Sequence, residues 1–521
     1  MKDYYFNEDH QMFREGLKAF LDKEVKPNID EWEEKQAIPY SIWEKFGDMG
    51  YMGINFPEKY GGMDADFFYS VIFLEEISKC WSGGFAITPV ASHYMSVPYI
   101  LKHGSEQLKD KYLPDLVAGR KISCIGISEP GCGSDAANAQ TKAILDESGE
   151  FYVVNGAKTF ITNSFFGDIV VAVVKTNPEA GVGGVSLLVI DLDSEGISKR
   201  RLKKLGWHAS DTCELNFDEV KVPAENLIGQ AGQGFYYLMQ GLQLERLAAS
   251  VMGYASCEEA VRYSLQYMSE RKAFGRSINK FQVLRHRIAQ LSSEIEAVKA
   301  LSLHACRIYN DGVLDVKLCS MSKLLATELA DKCMYQCLQF FGGYGFMEEY
   351  KMARAFRDAR VGTIGGGTSE IMREILSKII IDDMSYKPVS SAGSGASSNS
   401  SSNSGLSEDY SESAPLTVET IFGKLPERFK KEKAGAFKAN VHFDIAGDQG
   451  GQYTVLIDNG NCEVIEGHEG DRDCLVETDD ETYIGVESGQ LNAQTAFMTG
   501  KIKADNLGVM MQFSGLFKRL N

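Results

Sequence analysis

Glu245 and Arg246 stand side by side in GLQLERLAAS (241–250), a run whose other members are largely apolar. A carboxylate in apolar surroundings has its pKa raised by desolvation, which suits a general base. Such pairs also occur on solvated helix faces, so these two residues alone leave both readings open. Three further stretches carry residue types that bind planar or phosphorylated ligands. ISEPGCGSD (127–135) sets the hydroxyls of Ser128 and Ser134 in a glycine-bearing loop after an apolar run. Backbone amides there serve a cofactor, a phosphate or a simple turn. SERKAFGRSINKFQ (269–282) surrounds Phe274 with Arg271, Lys272 and Arg276. That is a set for bidentate phosphate contact and purine stacking, or else a solvated basic helix end. QFFGGYGFMEEYKMARAFRDARVGTIGGGTSEIMRE (339–374) brackets a basic segment with two glycine clusters and opens a helix at Thr368. Backbone amides at a helix start suit an anion, although glycine also breaks helices and Thr is an ordinary N-cap. Neither G-x-G-x-x-G nor a P-loop occurs.

These stretches need elements to hold them. From 1 to 120 the apolar spacing is helical, as in Phe13, Leu17, Phe20 and Leu21. From 121 to 235 short β-rich runs such as FYVVNGAKTFIT and VSLLVIDLD alternate with Gly, Asn, Asp and Pro, which predicts a β-sandwich or barrel-like module. Helical spacing returns over 236–384, broken into four or five long helices, for which a bundle is the natural architecture. Residues 385–415 include SSAGSGASSNSSSNSG, a composition that predicts a flexible tether with a root-mean-square span of roughly 30 Å for a random coil. Residues 416–521 resume as a small α/β module, in which TVETIFGKLPERFKK reads as one amphipathic helix. The whole is a multidomain α+β chain.

Composition excludes some partners. Across 521 residues, 54 basic against 72 acidic side chains give a net charge of -18, which opposes general attraction to nucleic acid or anionic membrane. No stretch is long enough and apolar enough to insert stably in a bilayer. Eleven cysteines lack paired spacing and fit reduced thiols. The opening MKDYYFNEDHQMFREGLKAF has neither a signal-type apolar core nor transit-peptide character, so the expected compartment is cytoplasmic.

Together the motifs resemble the acyl-CoA dehydrogenase family over residues 5 to about 382. The resemblance lies in FPEKYGGMDAD (56–66), KYLPDLVAGRKISCIGISEPGCGSDAANAQTKA (111–143), VNGAKTFITNS (154–164), KLGWHASDTCELNFDEVKVPAENLIGQAGQGF (204–235), ERKAFGRSINKFQ (270–282) and FGGYGF (341–346). It implies an α-helical domain, a β-domain and a four-helix bundle, with FAD between the last two and a homo-oligomer, dimer or tetramer. It further implies removal of the α-proton of an acyl-CoA, hydride transfer from the β-carbon to flavin N5, and electron-transfer flavoprotein as acceptor. By the resemblance Ser128 and Thr162 are hydroxyls on the isoalloxazine, with Phe160 packed against it. Arg271 and Phe274 reach a neighbouring subunit's FAD, near Gln282, Gln339 and Gly343. Ser134 contacts cofactor or CoA, and Thr368 the flavin.

One departure stands out. Most of the family carries its base as Glu in I-Y-E-G-T, where this chain has Ile364, Gly365, Gly366, Gly367 and Thr368. The long-chain and isovaleryl branches resemble this arrangement and take the base from an L-E-R-L-like sequence, matched here by Leu244, Glu245, Arg246 and Leu247. Glu245 is then the base, with Arg246 and the space at Gly366 on the substrate side. Rival readings are an acyl-CoA oxidase and a non-catalytic acyl-CoA scaffold. The tail resembles the sterol carrier protein type-2 domain, above all in GQLNAQTAFMTGKIKADNLGVMMQFSGLF (489–517). That implies an apolar tunnel for lipids or acyl-CoAs. Met498, Met510, Met511, Phe513 and Phe517 either line it or pack an ordinary core.

Overall fold

The structure, a computed structural model, describes residues 4–382 and, in the tail, 416–435, 437–458, 460–488, 491, 493–498 and 500–518. The expected tether at 385–415 lies outside the described residues. The chain divides into two units, Met1–Leu376 and Ser377–Asn521.

The first unit opens with seven helices, α1 (Glu8–Phe20), α2 (Ile29–Lys35), α3 (Ser41–Asp48), α4 (Phe67–Ser78), α5 (Gly83–Val90), α6 (Val97–His103) and α7 (Glu106–Val117). Side chains that accept backbone N–H bonds start several of them: Asp66 for α4, Ser82 for α5 and Ser105 for α7. Helix α4 carries no polar stripe. Phe67, Phe68, Val71, Ile72, Phe73, Leu74 and Ile77 are all buried, so it is wrapped by protein on every side.

Eight strands follow: β1 (Ser123–Gly126), β2 (Lys142–Leu145), β3 (Phe151–Thr162), β4 (Ile169–Lys175), β5 (Val185–Asp191), β6 (Ile197–Arg201), β7 (Thr212–Pro223) and β8 (Leu227–Ile228). Their order is β6-β7-β3-β2-β4-β5-β8, with β1 parallel to β4. Every residue of β4 is buried, because its two faces feed two separate hydrophobic clusters. Ile169, Val171 and Val173 join α6, α7 and Leu238, whereas Val170, Ala172 and Val174 pack within the β-domain.

Helical structure resumes with α8 (Gly234–Glu270), interrupted by a small hairpin, β9 (Lys272–Ala273) with β10 (Arg276–Ser277), before α9 (Gln282–Asn310) and α10 (Val316–Phe340). After these come only α11 (Lys351–Ala359) and α12 (Ser369–Ser377), nine residues each. The sequence expectation of four or five long helices is therefore corrected to three long and two short. The glycine cluster at 342–345 follows the end of α10, and that at 365–367 lies between a 3-10 turn (Arg360–Thr363) and α12. One core joins bundle to helical domain, since Leu247, Val251 and Tyr254 of α8 share a cluster with Phe73 and Leu74 of α4.

The second unit holds α13 (Val418–Gly423), α14 (Leu425–Arg428) and α15 (Lys431–Ala434), then β11 (Ala439–Ala446), β12 (Gly451–Asp458), β13 (Asn461–Glu466) and β14 (Cys474–Asp479). It closes with α16 (Asp480–Glu487), α17 (Ala493–Met498), β15 (Lys503–Ala504) and α18 (Leu507–Gly515). The expected single helix over TVETIFGKLPERFKK is instead three short ones. Gly423 ends the first, and Pro426 sits in the opening turn of the second, where its missing N–H costs least. The sheet order is β13-β12-β11-β14-β15. Its core stacks Phe422 on Tyr453 at 4.0 Å and on Tyr483 at 5.1 Å between ring centroids. Phe513 is buried beside Phe443 and Phe517, at 5.7 and 4.8 Å, and Met510 is half-buried against the same cluster. The side chains of Met498 and Met511 lie outside the description.

Candidate active site

Glu245 and Arg246 are consecutive on α8 and both are buried. Neighbours on a helix point about 100° apart, so burying both requires protein on two sides. Helix α10 supplies one side. Arg246 donates from Nη1 to Ser320 Oγ at 3.3 Å and to Gln243 Oε1 at 3.1 Å, while its Nε has no partner. Helix α6 supplies the other side through Tyr99, whose hydroxyl neighbours the Glu245 carboxyl. Burial pushes the Glu245 pKa up to about 8, against the opposing pull of Arg246 and the Tyr99 hydroxyl. Burial also lowers that of Arg246.

The glutamates Glu33, Glu75, Glu76, Glu129 and Glu245 are buried among the described residues. Only Glu245 has a carboxyl oxygen, Oε1, that is shut off from solvent and has no hydrogen-bond partner. An orphaned buried acceptor costs about 1–3 kcal/mol, so a group that keeps one calls for an explanation.

A second buried cation lies on α10. Lys323 donates from Nζ to the Gly367 carbonyl at 2.6 Å and so anchors the glycine loop 365–367. Its pKa is pushed down to about 8, first by burial and then by Arg246. At Gly366, where most of the family places its base, φ is +63° and nothing lies within 4 Å of a Cβ position. Thr368 Oγ1 accepts from Ile371 N at 3.2 Å and caps α12, as its simpler reading expected, and it also lines a 340 Å³ hollow with Arg360 and Glu370.

The other candidates divide into groups. Ser128 and Glu129 follow β1. Glu129 accepts from Lys158 Nζ at 2.7 Å and from the Gln140 and Thr141 amides at 2.6 and 3.0 Å. Burial opposes its charge, yet Lys158 and these bonds keep its pKa below the usual carboxylate range. The Ser128 carbonyl accepts from Thr159 N at 2.9 Å, which ties the loop to β3. There the register slips between Lys158 and Ile161, and the bulge re-aims Phe160, which has φ of +64° and is 71% exposed. Thr162 follows, its Oγ1 3.3 Å from that of Thr212. Ser134 is exposed at the far end of the loop.

The β9-β10 hairpin presents Phe274, 94% exposed, and carries Arg271 over the Tyr344 ring at 5.6 Å, next to Gly343. Gln282 and Gln339, far apart in sequence, meet in a 740 Å³ surface groove with His286, Arg287 and Tyr335. Tyr99, Lys323 and the Glu129–Lys158 pair escaped sequence reasoning. They act through long-range contacts with no local motif.

Residues 7–120, 124–220 and 232–381 match the N-terminal, middle and C-terminal domains of acyl-CoA dehydrogenase. The long-chain specific acyl-CoA dehydrogenase of Mus musculus, mitochondrial by name, is 37% identical over 383 residues, covering 73% of this chain and 88% of its own. The chain belongs to the acyl-CoA dehydrogenase family. The crystal structure of acyl-CoA dehydrogenase from Geobacillus kaustophilus superimposes with a TM-score of 0.70 at 40% identity, over 73% of this chain and 99% of that one. An acyl-CoA dehydrogenase complexed with FAD from Bacillus anthracis gives a TM-score of 0.68 at 31% identity, over 72% and 68% of the two chains. Residues 419–518 match the SCP-2 sterol transfer family, so this dehydrogenase is fused to a lipid-binding region. No helix among the described residues is long and apolar enough to cross a membrane.

Proposed function

We propose that the chain dehydrogenates a fatty acyl-CoA to its trans α,β-unsaturated product, with Glu245 removing the α-proton. The observation that carries this reading is the bare Oε1 of Glu245, among the described residues the one buried glutamate oxygen left without a partner. Its ordinary alternative, a structural carboxylate, would be paired as Glu75 and Glu129 are. A raised pKa makes the carboxylate a stronger base once ionised, nearer in acidity to the carbon acid it must deprotonate. Arg246, adjacent and charged, favours the ionised form needed to start.

The residues also fit FAD. An aromatic ring turned outward by a bulge at Phe160, a hydroxyl two residues on at Thr162, and open space before Gly131 and Gly133 suit a flat ring system. Ser128, Thr162, Phe160 and Thr368 would hold the isoalloxazine, and Arg271, Phe274, Gln282, Gln339 and Gly343 the pyrophosphate and adenine of a neighbouring copy. Bound there, FAD supplies the two-electron acceptor for the hydrogen leaving the β-carbon. Ser134, Arg246 and the space at Gly366 face the acyl-CoA. The exposed hairpin and groove support a homo-oligomer, and electron-transfer flavoprotein is the proposed acceptor. Eleven unpaired cysteines support a reducing compartment, with the cytoplasm proposed. The tail holds or delivers the hydrophobic acyl-CoA.

Glu245→Gln should retain FAD at wild-type stoichiometry while anaerobic flavin reduction by acyl-CoA falls at least about 100- to 10,000-fold. Single-turnover reduction at the wild-type rate overturns the assignment.

A further inference from the structure

We propose that Tyr99 is a positioning residue for the base, its hydroxyl engaging one oxygen of the Glu245 carboxylate so that the other, Oε1, is left bare for the substrate's α-proton. The proposal rests on the reading of Glu245 as the base.

The geometry begins at Gly241, one turn before Glu245 on α8. A Cβ there would lie 2.3 Å from the Tyr99 hydroxyl and 2.4 Å from two atoms of its ring. The tip of the tyrosine therefore rests on bare helix backbone, and any other residue at 241 would displace it. Positions i and i+4 share a helix face, and side chains lean towards the helix N-terminus. The Glu245 carboxyl thus leans over the turn on which the phenol tip lies.

Tyr99 belongs to α6 and is fully packed, in the cluster where α6, β4, β5 and Leu238 of α8 meet. Among the described residues its hydroxyl has one acceptor within hydrogen-bond distance, the Leu238 carbonyl, and that contact is long at 3.4 Å. A carboxylate is the stronger acceptor, and charge-assisted bonds are about twice as strong as neutral ones. A phenol can also accept. With Glu245 ionised the hydroxyl donates to the carboxylate. Once Glu245 has taken the α-proton, the hydroxyl turns to Leu238. The same side chain serves both protonation states without moving its ring.

The charged and titratable groups around the carboxyl are Arg246 on α8 and Tyr99 on α6, with Cys319 and Lys323 of α10 facing Arg246. Tyr99 acts on the carboxyl in the direction of a lower pKa. Removing the hydroxyl therefore makes the base harder to ionise.

The test is Tyr99→Phe holoenzyme, followed by anaerobic flavin reduction with saturating acyl-CoA from pH 6 to 9. The expected result is a rate lowered about 3- to 10-fold near pH 7, as for loss of one hydrogen bond. The acid limb should move up by about half a unit to one unit, with KM within about twofold. Gly241→Ala, which keeps the hydroxyl but displaces it, should shift the limb the same way and replaces Tyr99→Phe if that variant does not fold. A merely structural role lowers FAD content or stability and leaves the limb where it was. Glu245→Gln is run alongside. If it is inactive while both other variants keep the wild-type limb and rate, the positioning role is overturned and the base stands. If Glu245→Gln still reduces flavin, the base reading falls and the positioning role with it.

Discussion

Helix α8 meets two buried glutamates, and they are treated in opposite ways. Glu75, on α4, accepts from the Tyr254 hydroxyl of α8 at 2.7 Å and from Arg14 Nη1 at 2.5 Å, and Glu76 beside it takes Arg14 and Lys79. Glu245, on α8 itself, has a tyrosine from the helical domain beside it but no cation hydrogen-bonded to it. Its Oε1 is orphaned, and burial raises its pKa to about 8. Arg246 is adjacent in sequence yet spends its hydrogen bonds on Gln243 and Ser320. The same fold thus pairs both oxygens of one buried carboxylate and leaves an oxygen of the other without a partner. Paired groups hold the domains together, and the unpaired oxygen is the one that the proposed mechanism uses.

That contrast can be broken from either side. Glu75→Gln weakens the link to Arg14 and should cost about 2–3 kcal/mol of unfolding free energy, as for a lost charged hydrogen bond. Denaturant titration would detect it, and flavin reduction by the folded variant should stay near wild type. A large loss of activity at unchanged stability would erase the distinction. Glu245→Gln should act in the reverse direction, with a smaller effect on stability, on the order of 1 kcal/mol. The sign follows from linkage. The folded pKa of about 8 lies above the ordinary carboxylate value of 4.5, so between these pH values the native state binds the extra proton. Wild-type stability therefore declines as pH rises from about 4.5 to about 8. The glutamine variant lacks that decline, and its stability relative to wild type should improve from pH 5 to pH 8. A difference independent of pH would place the Glu245 carboxyl in water.

Much of this was legible in the residues. Taken alone, Leu244-Glu245-Arg246-Leu247 left a general base and a solvated helix face both open, and only the family resemblance, joined with the glycines at 365–367, pointed to Glu245 as the proposed base. The helical and β-rich regions followed from apolar spacing. The rest depends on contacts between distant segments. Nothing near Tyr99 signals a neighbour 146 positions away, and Gly241 reads as a mildly unfavourable helix residue until the phenol above it is seen. Phe160 sits in a regular β pattern, and only the slipped register with β7 turns it outward. Periodicity also promised more long helices than exist, because the segment from Lys351 to Ser377 is helical twice but interrupted by a 3-10 turn and three glycines between α11 and α12.

The central claim is that Glu245, and no group near Gly366, takes the α-proton. It is tested most directly by separating proton removal from flavin chemistry. An acyl-CoA analogue with sulfur in place of the β-carbon has no hydrogen there to transfer, so its α-hydrogens report on the base alone. Incubated with holoenzyme in deuterated water and followed by NMR, the analogue should exchange its α-hydrogen with wild type. With Glu245→Gln, exchange should fall at least about 100-fold. Exchange at the wild-type rate in that variant would contradict the assignment.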